Sequence, residues 1–323
     1  MNMARIWNKH TQTNIPLKKK VFVGLSGGVD SAVSAALLKQ TGAEVTGVYI
    51  KGWYPPDMPC TWASERRDAM RVAARLHIPF YTLDASAEYK KSVIDYLLTE
   101  YSAGRTPNPD VMCNRDVKFG AFYRYAKEQG ADAIATGHYE SGEKDQRYFL
   151  WAVPKDILQA TLFPVGHMGK SAVRALARRF HLPVAEKRDS QGVCFLGSIS
   201  VEEFLKKELG SDNPALLYTL GQRISRPGGP WYVVGKDVRK RELTVSKTRA
   251  STACVIQFRD ANWFLEPKEV VEAQYRYRGP RIVGRIMGDQ FVTDAPLPEI
   301  PTPGQSIVIY HGDELVGGGI IIL

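Results

Sequence analysis

The chain is poor in cysteine, with four in 323 residues, widely spaced and without a CxxC pair. That excludes a disulfide scaffold and the usual zinc-ligand spacing, so no resident metal is expected. In a reducing compartment, a working cysteine in such a chain points to catalysis before architecture. Long apolar runs are also missing. None approaches the roughly 20 residues needed to span a bilayer. The first 20 residues are polar, end in Lys18-Lys19-Lys20 and lack the apolar core of a signal peptide. The expectation is a disordered extension over 1–20 on a cytoplasmic protein with no membrane partner. Acidic residues are short against basic ones, 34 to 43, for a net charge of +9. That balance suggests a polyanionic partner such as nucleic acid.

One further absence is local. The stretch Gly24-Leu25-Ser26-Gly27-Gly28-Val29-Asp30-Ser31 follows an apolar run, Val21-Phe22-Val23, and precedes a helical pattern through Ala32, Val33, Ala35, Ala36 and Leu37. Strand, glycine turn and helix start together aim backbone N–H groups and a helix dipole at a phosphate. A Walker A loop has lysine just before its final Ser or Thr, and here that position holds Asp30. A negative charge there repels bare phosphate but suits pyrophosphate carrying Mg²⁺. The loop therefore reads as one that cleaves ATP between its α and β phosphates. A plain tight turn is the alternative, and two glycines flanked by two serines is dense for one.

From Val21 to about Leu196, short apolar runs alternate with amphipathic helices, the pattern of a parallel α/β sheet. Strands are expected at 21–25, 45–50, 80–83 and 133–136, and helices at 31–40, 65–76, 88–101, 117–129 and 171–180. Such sheets bind ligands at the carboxyl ends of their strands. Ile50 and Gly137-His138 are therefore candidates to meet a nucleotide, with plain core packing as the alternative for Ile50 and a structural role as the alternative for His138.

Gly104-Arg105-Thr106-Pro107-Asn108-Pro109-Asp110-Val111-Met112-Cys113-Asn114 is the second informative segment. Two prolines in three residues forbid a helix and stiffen the loop. Asp110 and Cys113 follow where a helix starts, and Arg115 and Lys118 would favour a thiolate. Nucleophile with proton-transfer partner, or buried inert cysteine: this segment alone leaves both open. A second cysteine, Cys194 in Arg188-Asp189-Ser190-Gln191-Gly192-Val193-Cys194-Phe195-Leu196-Gly197, lies on a loop before a helix with a capping box, Ser200 and Glu203. It could approach Cys113 and form the transient disulfide that sulfur transfer leaves behind. Cys60 and Cys254 read as structural.

Beyond Gly197 short β-rich runs take over, at 231–234, 242–246, 253–258, 281–287 and 306–310. The expected domains are a catalytic domain over 21–197, a small central domain over 198–256 and a β-barrel over 257–323. Tyr275-Arg276-Tyr277-Arg278 alternates cation and aromatic, suited to phosphate contact and base stacking, with a solvated strand face as the alternative. Gly317-Gly318-Gly319 has no following helix and reads as a bend or a close backbone approach in a strand.

As a set these motifs resemble the bacterial-type tRNA-specific 2-thiouridylases, from Val21 to Ile322. The anchors are Gly24–Ser31, Thr106–Asn114, Thr136-Gly137-His138-Tyr139, Lys144-Asp145-Gln146, Asp189–Gly197, Tyr218–Arg223 and Thr302-Pro303-Gly304-Gln305. The resemblance implies an N-terminal ATP-pyrophosphatase domain with a parallel sheet, then a small central domain and a C-terminal β-barrel. It implies 2-thiolation of a tRNA wobble uridine with ATP and Mg²⁺, the anticodon arm as partner, and a persulfide donor protein (a cysteine desulfurase or sulfur relay protein). On the same ground Gly24–Ser31, Ile50 and Gly137 would contact ATP, and Asn108, Pro109 and Asp110 the target base. His138, Lys144, Asp145, Gln146, Arg276, Tyr277 and Gln305 would contact tRNA. Asp110 and Cys113 would be catalytic, and Cys194 the persulfide carrier. The chain departs from that pattern in a short 141–143 segment, in Arg147, and in Ile224-Ser225-Arg226-Pro227.

Overall fold

The structure is a computed structural model and describes residues 19–55, 62–142, 145–188 and 200–322. It resolves into two compact units. One comprises the described residues of Met1–Lys90 and Cys113–Ser198, the other those of Lys91–Met112 and Ile199–Leu323.

In the first unit, β1 (Lys20–Gly24), β2 (Glu44–Lys51), β3 (Phe80–Asp84), β4 (Ala133–Ala135) and β5 (Thr161–Leu162) form a sheet of order β3-β2-β1-β4-β5. Every pairing is parallel, with Val21 opposite Val45 on one side and Ala133 on the other. The chain runs outward from β1 through β2 and β3, then returns to β1's other side with β4. Strand order thus reverses between β1 and β4, where open α/β sheets gather their ligands. Val21, Phe22 and Val23, which alternate between the two faces of β1, are buried to 2% exposure or less, as a strand covered on both faces requires. Helix α1 (Val29–Gln40) buries Ala32, Val33, Ala35, Ala36 and Leu38, small enough for close approach to the sheet. Helix α2 (Trp62–Leu76) buries only Ala69, Val72 and Ala73, one stripe of an otherwise polar helix.

Two stretches depart from the expected simple helices. The sequence pattern predicts single helices over 88–101 and 117–129, but Lys90–Asp95 and Cys113–Ala121 are π-helical, with short α-helical pieces on either side. A widened i→i+5 turn keeps much the same apolar stripe over a few residues, so periodicity does not reveal it.

In the second unit, β6 (Arg223–Ile224), β7 (Trp231–Asp237) and β8 (Glu242–Ser246) form an antiparallel sheet. Six strands close into an antiparallel barrel: β9 (Val255–Trp263), β10 (Val271–Gln274), β11 (Ile282–Met287), β12 (Gln290–Val292), β13 (Ser306–His311) and β14 (Glu314–Ile321). Ile256, Phe258, Val271, Phe291, Ile307 and Ile309 are among its core. The capping box forms as read: Ser200 accepts from the Glu203 N–H and Glu203 accepts from the Ser200 N–H. Among the described residues no helix is long and apolar enough to cross a membrane.

The triple glycine lies inside β14. A Cβ on Gly317 would overlap the Asn262 carbonyl oxygen, and one on Gly319 would stand 2.6 Å from the Phe258 ring. Backbone packs against backbone here, which only glycine allows. Gly317→Ala is expected to cost about 1–3 kcal/mol by overpacking. Denaturant unfolding followed by barrel tryptophan fluorescence measures it, and a loss below about 0.5 kcal/mol would mean the barrel wall yields easily.

Candidate active site

The first unit assembles its site at the reversal point. After β1, Gly27 takes φ +76°, and a Cβ there would overlap the Glu65 carbonyl oxygen of α2. The serines close the loop on itself. Ser31 Oγ accepts from the Ser26 N–H at 3.2 Å and donates to the Gly28 carbonyl at 3.2 Å, while Ser26 Oγ accepts from the Gly28 N–H at 3.3 Å. Gly28 stands at the N-cap of α1 with no capping side chain, so the helix presents backbone donors at its start. Gly137, after β4, presses against this start: a Cβ would lie 2.7 Å from the Ser31 nitrogen. Ile50, at the end of β2, reaches to 3.9 Å from the Cβ position of Gly24. The predicted nucleotide residues therefore gather around one loop.

Asp30 does not stand as a bare carboxylate. It accepts from Lys170 Nζ at 2.7 and 2.9 Å and from the Tyr139 hydroxyl at 2.6 Å. A second lysine, Lys187, donates to the Gly27 carbonyl at 3.1 Å and pairs with Asp68 at 2.7 Å. Sequence reasoning missed both lysines, since each meets the loop from far along the chain. One local sign was available. Lys170 opens the helix α3 (Lys170–Arg179), and a cation at a helix N-terminus is disfavoured by the dipole. A residue set against its local preference is a mark of function.

His138 packs against the Phe119 ring, centroids 5.2 Å apart, and its Nδ1 lies 3.0 Å from Thr136 Oγ1. Burial, aided by the Lys118 ammonium, pushes its imidazole down to about 3. It is neutral at physiological pH and offers hydrogen bonds, not charge. Asp145 is held by Arg147 through Nε at 3.0 Å and Nη2 at 2.6 Å, and Gln146 Oε1 accepts from the Tyr139 N–H at 3.0 Å. Arg147, a departure from the resembled pattern, is thus the buried brace of this segment. Lys144 lies outside the described residues.

Cys113 is buried at 3% exposure and opens the π-helical stretch, a geometry frequent at functional sites. Asn114 Nδ2 donates to the Phe149 carbonyl at 3.0 Å. Arg115, expected to favour a thiolate, spends its guanidinium on Asp116 in a two-pronged pair at 2.8 Å. Cys194 and Cys60 lie outside the described residues. Cys113 and Cys254 stand as thiols, so a resident disulfide is not supported. No group of three metal-ligating side chains occurs among the described residues.

The second unit carries the proline loop. Asn108 is buried at 9% exposure, Pro109 is half-buried, and Asp110 is exposed in the first turn of Pro109–Met112. Before it, Arg105 grips Glu100 at 2.6 and 2.7 Å, and Arg259 of β9 adds a contact at 3.3 Å. The Arg105 hydrogen bonds hold the Glu100 carboxyl below the usual range. Gln305 donates to the Thr106 and Pro107 carbonyls. The Tyr275–Arg278 alternation is a turn after β10, not a strand face. Tyr275 points inward to the Glu299 carbonyl at 2.9 Å, Arg276 pairs with Glu299 at 3.1 Å, and Arg278 lies over the Tyr277 ring at 5.3 Å.

A family model described as "tRNA methyl transferase HUP domain" matches residues 19–198, and one described as "Aminomethyltransferase beta-barrel domain" matches residues 242–321. A "tRNA-specific 2-thiouridylase MnmA" of Streptococcus thermophilus (strain CNRZ 1066) is 39% identical, over 94% of this chain and 95% of its own. A "tRNA-specific 2-thiouridylase MnmA 2" of Geobacillus kaustophilus (strain HTA426) is 38% identical, over 95% of each chain. The first alignment runs over 355 positions against 323 residues here, so that relative holds segments this chain lacks.

Next to Tyr139, Glu140 is buried beside Gly166, with His167 Nε2 at 3.6 Å. Burial outweighs Arg147's attraction and pushes this carboxyl up to about 8 from 4.5. The folded chain therefore holds a proton that the unfolded chain releases, and stability falls as pH rises between those values. Glu140→Gln should leave stability at pH 5 nearly unchanged and raise it at pH 8, by on the order of a few kcal/mol. Parallel losses in variant and parent from pH 5 to 8 would contradict this.

Proposed function

The chain belongs to the tRNA-specific 2-thiouridylase family, and on that premise we propose that it replaces the 2-oxygen of the wobble uridine in tRNA anticodons by sulfur, at the expense of ATP. The observation that carries the reading is the phosphate loop at the β1/β4 reversal, with Lys170 and Lys187 at its rim. Uridine O2 attacks the α-phosphorus of ATP, the bond to the β-phosphate oxygen breaks, and pyrophosphate departs. O2, a poor leaving group as a carbonyl, becomes part of AMP. Backbone N–H groups of the loop and the two ammonium groups offset the charge that grows on the departing pyrophosphate. Magnesium brought by the triphosphate suits this setting: Asp30 offers one hard carboxylate donor, and the ion would neutralise phosphate charge when bound.

Sulfur arrives from a protein persulfide donor and rests on Cys194. The Cys113 thiolate attacks the inner sulfur of that persulfide, forming a Cys113–Cys194 disulfide and releasing hydrosulfide. Hydrosulfide adds at C2 and AMP leaves. The two thiols supply the two electrons that reduce the sulfane sulfur, and an external thiol restores them. Asp110, exposed ahead of Cys113, moves protons near the base. Asn108 and Pro109 hold the base, which must leave its stack to be reached. The reducing cytoplasm, with its tRNA and thiols, suits this cycle.

Mass spectrometry of nucleosides after incubation with tRNA, ATP, Mg²⁺ and a persulfide donor tests the reaction. Cys194→Ala is expected to abolish thiolation while leaving tRNA-dependent pyrophosphate release, and wild-type thiolation by that variant would remove Cys194 from the scheme. Lys170→Ala should slow pyrophosphate release about 10²–10³-fold, as losing one preorganised charge donor does elsewhere. Lys170→Arg should lie between. An unchanged rate in the alanine variant would reduce Lys170 to a structural partner of Asp30.

A further inference from the structure

Thr106-Pro107-Asn108-Pro109 has an unusual shortage. Neither proline has an N–H, so the segment can hardly make the local turn bonds that would fix its own carbonyls. The missing donors come from the approach to β13, almost two hundred positions later. Gln305 Nε2 donates to the Thr106 carbonyl at 2.9 Å and the Pro107 carbonyl at 3.2 Å. The Thr106 N–H in turn donates to the Pro303 carbonyl at 2.8 Å. Between them Gly304 takes φ +90°, and a Cβ there would lie 2.9 Å from the Thr106 carbonyl carbon and oxygen. The clamp is itself anchored in the barrel wall, because the Gly304 N–H donates to the Ile321 carbonyl and the Ile321 N–H to the Gln305 carbonyl, each at 2.8 Å. Thr106 and Thr302 are buried, at 6% and 3% exposure.

We infer that Gln305 and Gly304 are positioning residues for the target base: the barrel, through these two, sets the conformation of Asn108–Asp110. The inference rests on the proposed role of Asn108–Asp110 toward the uridine. It differs from a direct tRNA contact at Gln305, since both amide hydrogens are committed to the chain's own carbonyls. An amide can satisfy two adjacent carbonyls at once, which a carboxylate cannot do at all. A shift of the loop by a fraction of an ångström misplaces the base held by Asn108–Asp110 while leaving most of the tRNA surface unaffected.

The test uses the full chain, purified, with two measurements on each variant: tRNA affinity without ATP, and the single-turnover thiolation rate at saturating tRNA. Gln305→Glu and Gly304→Ala are both expected to lower the rate about 10- to 100-fold while tRNA affinity stays within about twofold. Gln305→Lys, which keeps N–H donors, should recover most of the rate. Hydrogen exchange at the Thr106 amide should speed up in the first two variants and stay slow in the third, a readout independent of turnover. If Gln305→Glu weakens tRNA binding about tenfold with the saturated rate intact, Gln305 contacts RNA and the inference is overturned. An intact rate in Gly304→Ala would overturn it too, because that variant adds only a methyl against Thr106. If the parent chain itself makes no 2-thiouridine, the failure belongs to the proposed reaction and not to the clamp, and the exchange measurement still decides whether the clamp holds the loop.

Discussion

The charge balance at Asp30 is the constraint on which the first unit's site depends. A carboxylate inside a phosphate loop would repel the ligand that the loop's N–H groups attract. Lys170 and the Tyr139 hydroxyl remove that conflict by holding the carboxylate from two sides. Tyr139 belongs to the turn after β4 and Lys170 to the start of α3, so one ion pair ties together the elements that flank the reversal point. At 18% exposure the Lys170 side chain is screened less than a surface lysine, and its charge acts locally. The helix dipole opposes Lys170 where it sits, and Asp30 is what makes the position tolerable.

Much of this was legible in the sequence, for a physical reason. A glycine loop between an apolar run and a helical pattern has few other uses, and parallel strands buried on both faces read as unbroken apolar runs. The barrel's longer strands were visible through their β-branched residues. Thr161–Leu162 and Gln290–Val292 were not, because two or three residues show no period. Lys170 and Lys187 were beyond reach for another reason. Each meets its loop partner 140 or 160 positions away, and apart from the cation that Lys170 places at a helix start, nothing local marks such a pairing.

Four of the seven side chains that likeness assigns to tRNA share a feature. Asp145 is gripped by Arg147, Gln146 by the Tyr139 N–H, Arg276 by Glu299, and Gln305 by two carbonyls of the proline loop. Polar residues on a nucleic-acid surface are expected to point outward to phosphate. Here they are engaged first with groups of their own chain. A polar group already held in place loses less freedom on meeting any ligand than one that must be ordered.

The bonds from Gln305 to the proline loop span 199 and 198 positions, which gives them a consequence in time. During synthesis the proline loop emerges long before its donors exist. At ribosomal rates of about 5–20 residues per second the interval is roughly 10–40 s. For that period the Thr106 and Pro107 carbonyls lack their Gln305 partner and face water, and the loop is left unclamped. A nascent chain, or one cut short before the last barrel strands, holds a complete glycine loop after β1 and a proline loop without its clamp. The first unit's glycine loop can thus be complete well before the second unit's proline loop takes its final form.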